Sequence, residues 1–348
     1  MNLTVNKLPS TTWNKLHMNE AAVSLEDDLD CLIPRADYDS DEFSWDGDRT
    51  ESLRLPGELT EVTKRASLGS GFTRNDVQMQ KPLVLTYAYE PQERAASRLS
   101  LLAAESSHLK AVVVLRGEAS VSALQAEMIV GKNAVLDLCL VDLLGSETLC
   151  LNHIAGKLDE GAQLNVTRLD LGGKKIYSGV NVDLLGDRSG YNSETGYHVI
   201  PGQVLDMNYV AVHHGRSTNC EMQVNGTLED GARKVFRGTI DFQKGCAGAK
   251  AAENEKVLLM GENLVNQTLP VILCKEEDVE GSHGASIGQL DDKVLFYLAT
   301  RGIPAEAAQA MIAQARIDAI CAKIPVEEIR QQVLEFEKVR GTSHGEEL

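Results

Sequence analysis

The sequence has few aromatic residues and few basic ones for its length of 348 residues. Aromatic residues make up 5%, and both tryptophans, Trp13 and Trp45, precede residue 46. Ligand grooves are normally rich in aromatic rings, so the sequence argues against an enzyme that acts on polysaccharides. Lysine and arginine number 34 against 51 aspartate and glutamate residues, which gives a formal net charge of −17. Because this charge repels a phosphate backbone, we expect no nucleic-acid partner.

Long apolar segments and paired cysteines are also absent. Since no run reaches about 18 apolar residues, we expect no membrane-spanning helix. The N-terminal residues do not combine a basic region with an apolar one, so we expect no secretory signal. The seven cysteines are odd in number and contain no Cys-x-x-Cys pair, which argues against a disulfide framework and a ferredoxin-like cluster. We therefore expect a cytoplasmic protein without a permanently bound cofactor.

Motifs for nucleotide binding and hydrolysis are missing as well. The sequence has no glycine-rich P-loop, no His-Glu-x-x-His motif and no Ser-His-Asp order. The adjacent acids Asp291 and Asp292 are explained by capping of a helix N-terminus, without acid–base catalysis. We expect no catalytic residues in this chain, so it is not an enzyme, and any nucleotide-driven step belongs to another protein.

Three regions of different composition follow one another along the chain. Residues 1–52 are predicted to form a helical and acidic segment, residues 53–288 a β-rich core, and residues 289–348 a helical domain. The first region includes a predicted short helix near Trp13–Leu25. Residues 26–48 hold ten acids and one base, a composition that favours a solvated, mobile linker over an acidic arm for a basic partner.

Short apolar runs, broken by glycine, aspartate and asparagine, predict many strands in the β-rich core. The clearest runs are Lys81–Ala88, Ala111–Leu115, Ala134–Leu144, Leu164–Leu171, Val204–Val212 and Val235–Phe242. A turn that ends in small residues recurs without intervening helices, at Gly131–Ala134, Asp159–Ala162 and Glu229–Ala232. This recurrence favours a solenoid of stacked rungs, although a β-sandwich fits the pattern about equally well. Two windows remain ambiguous: Pro91–Leu109 has the composition of a helix, and Ala247–Met260 fits a helix or a loop.

Three short helices are predicted after Ile287. The first, Lys293–Arg301, ends at Gly302, where a left-handed residue closes a helix. A second begins near Pro304, and a third begins at Pro325. We expect the three helices to cap one end of the strand-rich body and to protect its open edge.

The junction between the β-rich core and the helices carries a specific family resemblance. Ser282–Ala285 reads Ser-His-Gly-Ala, Gly288–Asp291 reads Gly-Gln-Leu-Asp, and Leu295–Ile303 reads Leu-Phe-Tyr-Leu-Ala-Thr-Arg-Gly-Ile. These stretches resemble the C-terminal signature of the SufB/SufD family of iron–sulfur cluster assembly scaffold proteins, most closely its SufD branch. The resemblance implies a right-handed parallel β-helix, which decides between the solenoid and the sandwich. It also implies that Leu99–Ala104 begins a rung.

A histidine in this junction is the main candidate site residue. His283 lies in a predicted glycine-rich loop, where a lone histidine is usually a solvent-facing turn residue. The resemblance implies instead a position at a subunit interface, as a transient cluster ligand. A neutral imidazole binds iron and releases it on protonation, which suits a scaffold that passes its cluster on. Related SufD proteins can carry a cysteine two residues before this histidine, where this chain has Gly281.

Cysteines and other histidines are secondary candidates. Cys274 contributes a thiolate only if its strand and the histidine loop fold back toward each other. Cys246 is flanked by glycine and lysine, which predicts exposure and a lowered thiol pKa. Cys139 and Cys321 lie in apolar runs and are predicted to be core residues. The pair His213–His214 would point to opposite faces of a strand, so we do not expect it to chelate one metal.

The resemblance also implies protein partners. A SufC-type ATPase is expected to bind the helical region, through a surface within Leu295–Lys323 that includes Leu295, Phe296, Tyr297, Arg301 and Gly302. A SufB-type subunit is expected to pair edge to edge with the C-terminal part of the solenoid and to share a transient iron–sulfur cluster. Two alternatives stay open: a homodimer that does this work alone, and a non-catalytic structural interaction module.

Overall fold

A computed structural model gives the fold, and it describes residues 1–10, 14–26, 29–46, 55, 57–64 and 67–343. Strands make up 54% of the structure. The chain winds into a β-solenoid of about eight turns, followed by three α-helices. The mainly β solenoid is therefore confirmed, and the β-sandwich is not the fold. None of the helices in these described ranges is long and apolar enough to cross a membrane.

The solenoid is built from two parallel sheets that successive strands join in turn. Its strands are β6 (Ser67–Thr73), β7 (Leu83–Tyr89), β8 (Arg94–Ala103), β9 (His108–Gly117), β10 (Val121–Val130), β11 (Val135–Leu144), β12 (Leu149–Leu158), β13 (Gln163–Asp170), β14 (Lys175–Leu184), β15 (Gly190–Val199), β16 (Val204–His213), β17 (Asn219–Glu229), β18 (Arg233–Phe242), β19 (Ala249–Met260), β20 (Val265–Cys274) and β21 (Val279–Gly288). Even-numbered strands form one sheet and odd-numbered strands the other. Each strand thus pairs with the strands two numbers before and after it in the chain, which lie one rung below and one rung above.

The register of the rungs aligns inward-facing side chains into columns. Leu136 lies opposite Leu164, which lies opposite Tyr191 and then Cys220. The first three of these side chains are fully buried, and all four belong to one continuous interior cluster. Burial of each large apolar side chain contributes about 2 kcal/mol, so a repeated column of this kind stabilises the stack.

The recurring turns are confirmed as the corners of rungs. Asn133 and Gly161 adopt positive φ angles of 54° and 66°, and the amide of each donates to a carbonyl of the next turn. Ala134 and Ala162 follow them and are fully buried, which explains the small residues there. Glu229–Ala232 is a turn at the opposite edge, between β17 and β18. The three turns therefore show no single period because they belong to two different corners.

Both ambiguous windows are strands. Pro91–Leu109 contains β8, which begins at Arg94 and thus before the expected rung start at Leu99. Ala247–Met260 contains β19, so neither a helix nor a loop is correct there. In β19, Glu253 and Glu255 face the interior, and pairing with β17 and β21 overrides the helix propensity of the glutamates and alanines.

The N-terminal region forms strands where a helix was predicted. Its strands are β1 (Asn2–Val5), β2 (Ala21–Ser24), β3 (Asp30–Cys31), β4 (Arg35–Asp37) and β5 (Phe43–Asp46). The prediction of a helix near Trp13–Leu25 is wrong. Among the described residues of this range, Asn14–Leu16 forms a 3-10 turn. The later residues form β2, which pairs antiparallel with β1. Val5 and Val23 are buried in a cluster with solenoid residues, and this packing selects the hairpin. Trp13 lies outside the described residues.

The acidic segment is also more ordered than a linker. Within its described residues, β3 pairs with β8, β4 with β7 and β5 with β6. Asp27, Asp28 and Asp48 lie outside the described residues. The interpretation as a mobile linker is therefore wrong for β3, β4 and β5, because each strand finds a partner at the first rungs of the solenoid.

Three C-terminal helices are present as predicted, but their position differs from the expected cap. They are α1 (Asp292–Thr300), α2 (Ala305–Cys321) and α3 (Glu327–Ser343). Helices α2 and α3 pack on the outer face of the odd-strand sheet, where Ile317, Ile320 and Val333 join Val141 and Leu169 in one buried cluster. An apolar stripe on the side of the solenoid therefore draws the helices away from its end.

Candidate functional site

The end of the solenoid that follows β19 is left open. Strand β20 is the last of the even-strand sheet and β21 the last of the odd-strand sheet. In the part of the chain that the structure describes, no further strand pairs with either of them. Nearly every side chain of β21 is exposed. The solenoid thus ends in two free edges that carry unpaired backbone groups.

His283 lies in the middle of strand β21, so the prediction of a loop is wrong. Glycine has a packing role here, because a Cβ at Gly281 would stand 2.9 Å from Cε2 of Phe242. A Cβ at Gly284 would meet Oδ1 of Asn254 at the same distance. These glycines therefore let the last strand lie close to the rung below.

The register of β21 turns His283 toward the interior side of the solenoid. His283 is the direct partner of Glu253 on β19, and parallel partners in register point to the same side of a sheet. Glu253 is buried and faces the interior. His283 nevertheless remains exposed, because no further rung covers it. The imidazole therefore stands at the open mouth of the solenoid interior.

A buried charge cluster lies directly below this mouth. Lys234 forms an ion pair with Glu255, and both side chains are fully buried. Thr268 donates to Glu255 at 2.6 Å and accepts from Lys234 at 3.1 Å. Burial, and then the charge of Glu255, raises the pKa of Glu253 to about 8. Burial lowers the pKa of Lys234.

Sequence reasoning missed this cluster. Glu253 and Glu255 are two residues apart and therefore share a face of a strand, a signal that is informative only once β19 is recognised as a strand. The composition of Ala247–Met260 gave no such indication.

The two secondary cysteine candidates differ in their exposure. Cys274 ends β20 and is exposed, with its Sγ 3.0 Å from the carbonyl oxygen of Glu276. Cys246 is fully buried, and burial raises the pKa of its thiol. The prediction of an exposed, acidic thiol is therefore wrong. The turn takes positive φ at Gly245 and Gly248, and the thiol between them joins the interior cluster.

The described residues of one chain do not assemble a complete metal site. Over the described ranges, no group of three or more His, Cys, Asp or Glu side chains is placed to hold a metal ion. His283 is thus a single exposed ligand, and neither Cys246 nor Cys274 completes a site with it.

The remaining candidates are structural. Cys139 and Cys321 are buried in the cluster between sheet and helices, as predicted. His213 is buried with its Nδ1 2.7 Å from Oγ1 of Thr218, and burial lowers its pKa to about 4. His214 is partly exposed and lies 3.6 Å from Asp183, so the two rings do not converge.

Helix α1 is the most exposed element of the helical domain. It has no buried residue, and Phe296 and Tyr297 are 72% and 56% exposed. The guanidinium of Arg301 stacks 5.3 Å from the ring centre of Tyr297. Gly302 has φ of 80° and ends the helix, as predicted. Two aromatic rings and a cation therefore form an uncovered surface next to the open end.

Comparison with known proteins identifies the family. A family model described as "SUF system FeS cluster assembly, SufBD core domain" matches residues 87–316, which include the solenoid from β8 to β21. The chain belongs to the SufB/SufD family. This membership agrees with the resemblance seen in Ser282–Ala285 and Leu295–Ile303.

Individual relatives place this family member on the SufD side. Iron-sulfur cluster assembly protein SufD of Bacillus subtilis (strain 168) is 23% identical over 330 residues, which cover 91% of this chain and 74% of the relative. SufD of Escherichia coli (strain K12) is 29% identical over 164 residues, 47% of this chain and 39% of the relative. An iron-sulfur cluster assembly SufBD family protein of Staphylococcus epidermidis is 24% identical over 158 residues, 45% of this chain and 34% of the relative.

Proposed function

We propose that this family member is a SufD-like scaffold subunit, not an enzyme, that supports iron–sulfur cluster assembly and transfer. In this proposal it works in the cytoplasm with a SufB-type subunit and a SufC-type ATPase. Family membership supports the role in the SUF system. The observation that carries the finer proposal is the position of His283, exposed on an unpaired terminal strand at the open end of the solenoid.

The free edges of β20 and β21 suit pairing with a second solenoid. Unpaired main-chain groups of an edge strand bind another strand by adding it to the sheet. The residues around His283 are small (Gly281, Ser282, Gly284 and Ala285), so they leave room for a partner to approach. Because none of the described residues joins His283 in a metal site, the other ligands of a cluster come from the partner in this proposal.

The cluster is cargo in this proposal and is not permanently bound. His283 supplies one neutral nitrogen ligand to iron and gives it up on protonation. A site of four cysteine thiolates, which is the usual permanent cluster site, holds iron more firmly. A mixed site with a histidine from one subunit therefore suits assembly followed by transfer.

Helix α1 is the proposed docking surface of the ATPase. Because the sequence has no P-loop, another protein must bind and hydrolyse the ATP that drives the process. Phe296, Tyr297 and Arg301 are exposed aromatic and basic side chains, the residue types enriched at interface hot spots. Leu295 is half-buried beside them, and Gly302 ends the helix that presents them.

Co-expression with candidate SufB-type and SufC-type subunits tests the proposal. Purification through this chain alone should retain both subunits, and the complex should form a cluster with iron and sulfide. Loss of the ATPase would overturn the scaffold assignment. Cluster formation by this chain alone would support the homodimer instead.

His283→Ala tests the proposed ligand. In the three-protein complex, cluster formation followed by visible absorption should fall at least about tenfold, while the subunits still copurify. The matched control is His214→Ala, which removes another partly exposed histidine and should leave cluster formation unchanged. Full activity of His283→Ala would favour the structural interaction module.

A further inference from the structure

Two cysteines lie at the same corner of the solenoid, on its last two rungs. Cys246 is in the turn that joins β18 to β19. Cys274 ends β20, which pairs with β18 one rung further on. Both are free thiols in the structure, and the function proposed above uses neither of them. Their position relative to each other gives them a possible role as a pair.

Both thiols face the interior side of the solenoid. Cys274 is the register partner of Phe242, and parallel partners point to the same side of a sheet. Phe242 is fully buried in the interior cluster, and Cys246 is fully buried in the same cluster. Cys274 is exposed nevertheless, because in the described part of the chain no further strand covers the last rung. One thiol of the pair is therefore accessible and the other lies beneath the surface.

Hydrogen bonds stack the turn that follows β20 on the turn that follows β18. The amide of Gly245 donates to the carboxylate of Glu276 at 2.9 Å. The amide of Gly248 donates to the carbonyl of Asp278 at 2.6 Å. These two bonds lie on either side of the cysteine in the lower turn, and neighbouring rungs are only about 4.8 Å apart. The two cysteines therefore belong to one stacked corner.

The electrostatics of the corner agree with this placement. Burial raises the pKa of the Cys246 thiol, the carboxylate of Glu276 raises it further, and the charge of Cys274 adds a smaller increase. Interactions between charges fall off with distance, so the two sulfur atoms are neighbours across the corner. The Sγ of Cys274 also lies 3.0 Å from the carbonyl oxygen of Glu276, which turns the exposed thiol toward the same corner.

The chain around the two cysteines can make the adjustment that a bond between them requires. A disulfide needs Cα atoms about 4.4–6.8 Å apart, and Cys246 is offset along its turn, because residues 243–248 are stacked under the shorter turn 275–278. Gly245 and Gly248 flank Cys246 with φ of 103° and 76°, and glycine rotates there without steric cost. Within the described residues, no strand above the upper turn holds it in place.

We propose that Cys246 and Cys274 form a reversible disulfide that fastens the last rung of the solenoid to the rung below it. The exposed Cys274 thiolate attacks a small-molecule disulfide such as oxidised glutathione, which forms a mixed disulfide and releases one glutathione thiol. The Cys246 thiolate then attacks Sγ of Cys274 and releases the second. The two cysteines lose two electrons, and their two protons end on the released thiols. This bond does not depend on the proposed scaffold function.

Incubation of the full chain with oxidised glutathione, followed by trypsin digestion without reduction and mass spectrometry, tests the bond. Trypsin leaves Cys246 in the peptide Gly245–Lys250 and Cys274 in the peptide Val257–Lys275, each with one cysteine. The two peptides are expected as one linked species, which dithiothreitol separates. Gel electrophoresis without reductant should show that the linked species comes from the monomer.

Two variants separate the proposed pair from general thiol oxidation. Cys246→Ser should stop the reaction at a glutathione adduct of Cys274, whereas Cys31→Ser, which removes another exposed cysteine, should leave the linked peptides unchanged. In the oxidised parent, hydrogen exchange of the β21 amides should slow at least about threefold, because the last rung opens less often. Absence of the linked peptides in the parent, or their presence only in covalent dimers, would overturn the proposal.

Discussion

Buried ionisable side chains distinguish this solenoid from a purely apolar stack. Asp142 on β11 is fully buried in the interior, where it accepts from the thiol of Cys150 and from the amide of Leu144, each at 3.0 Å. Burial raises its pKa from 3.8 to about 7, so near neutral pH it is only partly ionised. Its protonated form is the form that the folded state prefers.

The substitution Asp142→Asn should remove a pH dependence of stability. The pKa of Asp142 is higher in the folded state than in the unfolded state. Its contribution to the stability of the folded state is therefore fully present below pH 3.8 and is lost as the pH rises through about 7. Asparagine does not ionise. The free energy of unfolding of the variant, relative to the parent, should therefore rise by on the order of 2 kcal/mol between pH 5 and pH 8 in urea titrations. A pH-independent difference would contradict this account.

At the level of single residues, the environment of a side chain was the hardest property to predict. The proposed role of His283 rests on a specific motif, but its strand conformation could not be predicted, because Gly281 and Gly284 have the composition of a loop. Cys246 was predicted to be exposed for a similar reason. Its burial depends on how two positive φ angles direct the turn, which a sequence does not show. Asp142 sits in an apolar run, and only the register reveals that it faces the interior.

Contact between helix and sheet is the decisive feature at the level of elements. Helix α2 crosses β15 at Gly196, where an added Cβ would overlap Cδ1 of Ile320. Ile320 is buried, so it cannot move aside freely. The absence of a side chain at Gly196 therefore sets how closely the helix lies on the sheet.

Gly196→Ala should destabilise the protein by about 1–3 kcal/mol in urea unfolding, because it overpacks this contact. The double variant Gly196→Ala, Ile320→Val removes the overlapping methyl group and should cost less than the sum of the two single changes. Gly288→Ala is the control, since a Cβ there meets nothing within 4 Å. Strict additivity of the two changes would rule out the direct contact.

A histidine between two carboxylates holds helix α3 on the sheet. His198 on β15 lies 2.9 Å from Glu229 and 2.8 Å from Glu337 of α3. Burial opposes protonation, but the hydrogen bonds with the two carboxylates outweigh it and raise the pKa of His198 to about 9. Arg340, also on α3, donates to Glu337 and to the carbonyl of His198. The ring is therefore cationic when α3 is attached.

The attachment of α3 should weaken in alkaline solution. The pKa of His198 in the folded state exceeds the unfolded value of 6.5. Its contribution to the attachment of α3 is therefore fully present below pH 6.5 and is lost as the pH rises through about 9. Hydrogen exchange of the α3 amides should accelerate between pH 6.5 and 9.5 beyond the intrinsic effect of pH. His198→Gln should remove this excess, and its persistence in that variant would contradict the assignment.

The whole molecule was predictable where a local pattern repeats and unpredictable where distant surfaces meet. Recurring turns and short apolar runs, together with the family motif, were enough for a solenoid followed by three helices. The position of those helices was not, because it depends on an apolar stripe that only the stacked register assembles from Val112, Val141 and Leu169. Because the helices pack on the side of the solenoid, its end stays uncovered, and His283 lies at that open end.

In the proposed complex the open end and helix α1 bind different partners, so substitutions in each should affect a different subunit. Ser282→Lys with Ser286→Lys places two charges on the exposed strand β21, which disfavours edge pairing. Copurification should then lose the SufB-type subunit but retain the ATPase. Phe296→Ala with Tyr297→Ala should have the opposite effect, because these rings lie on α1. Loss of both subunits from each double variant, with circular dichroism unchanged, would mean that the two partners bind one continuous surface.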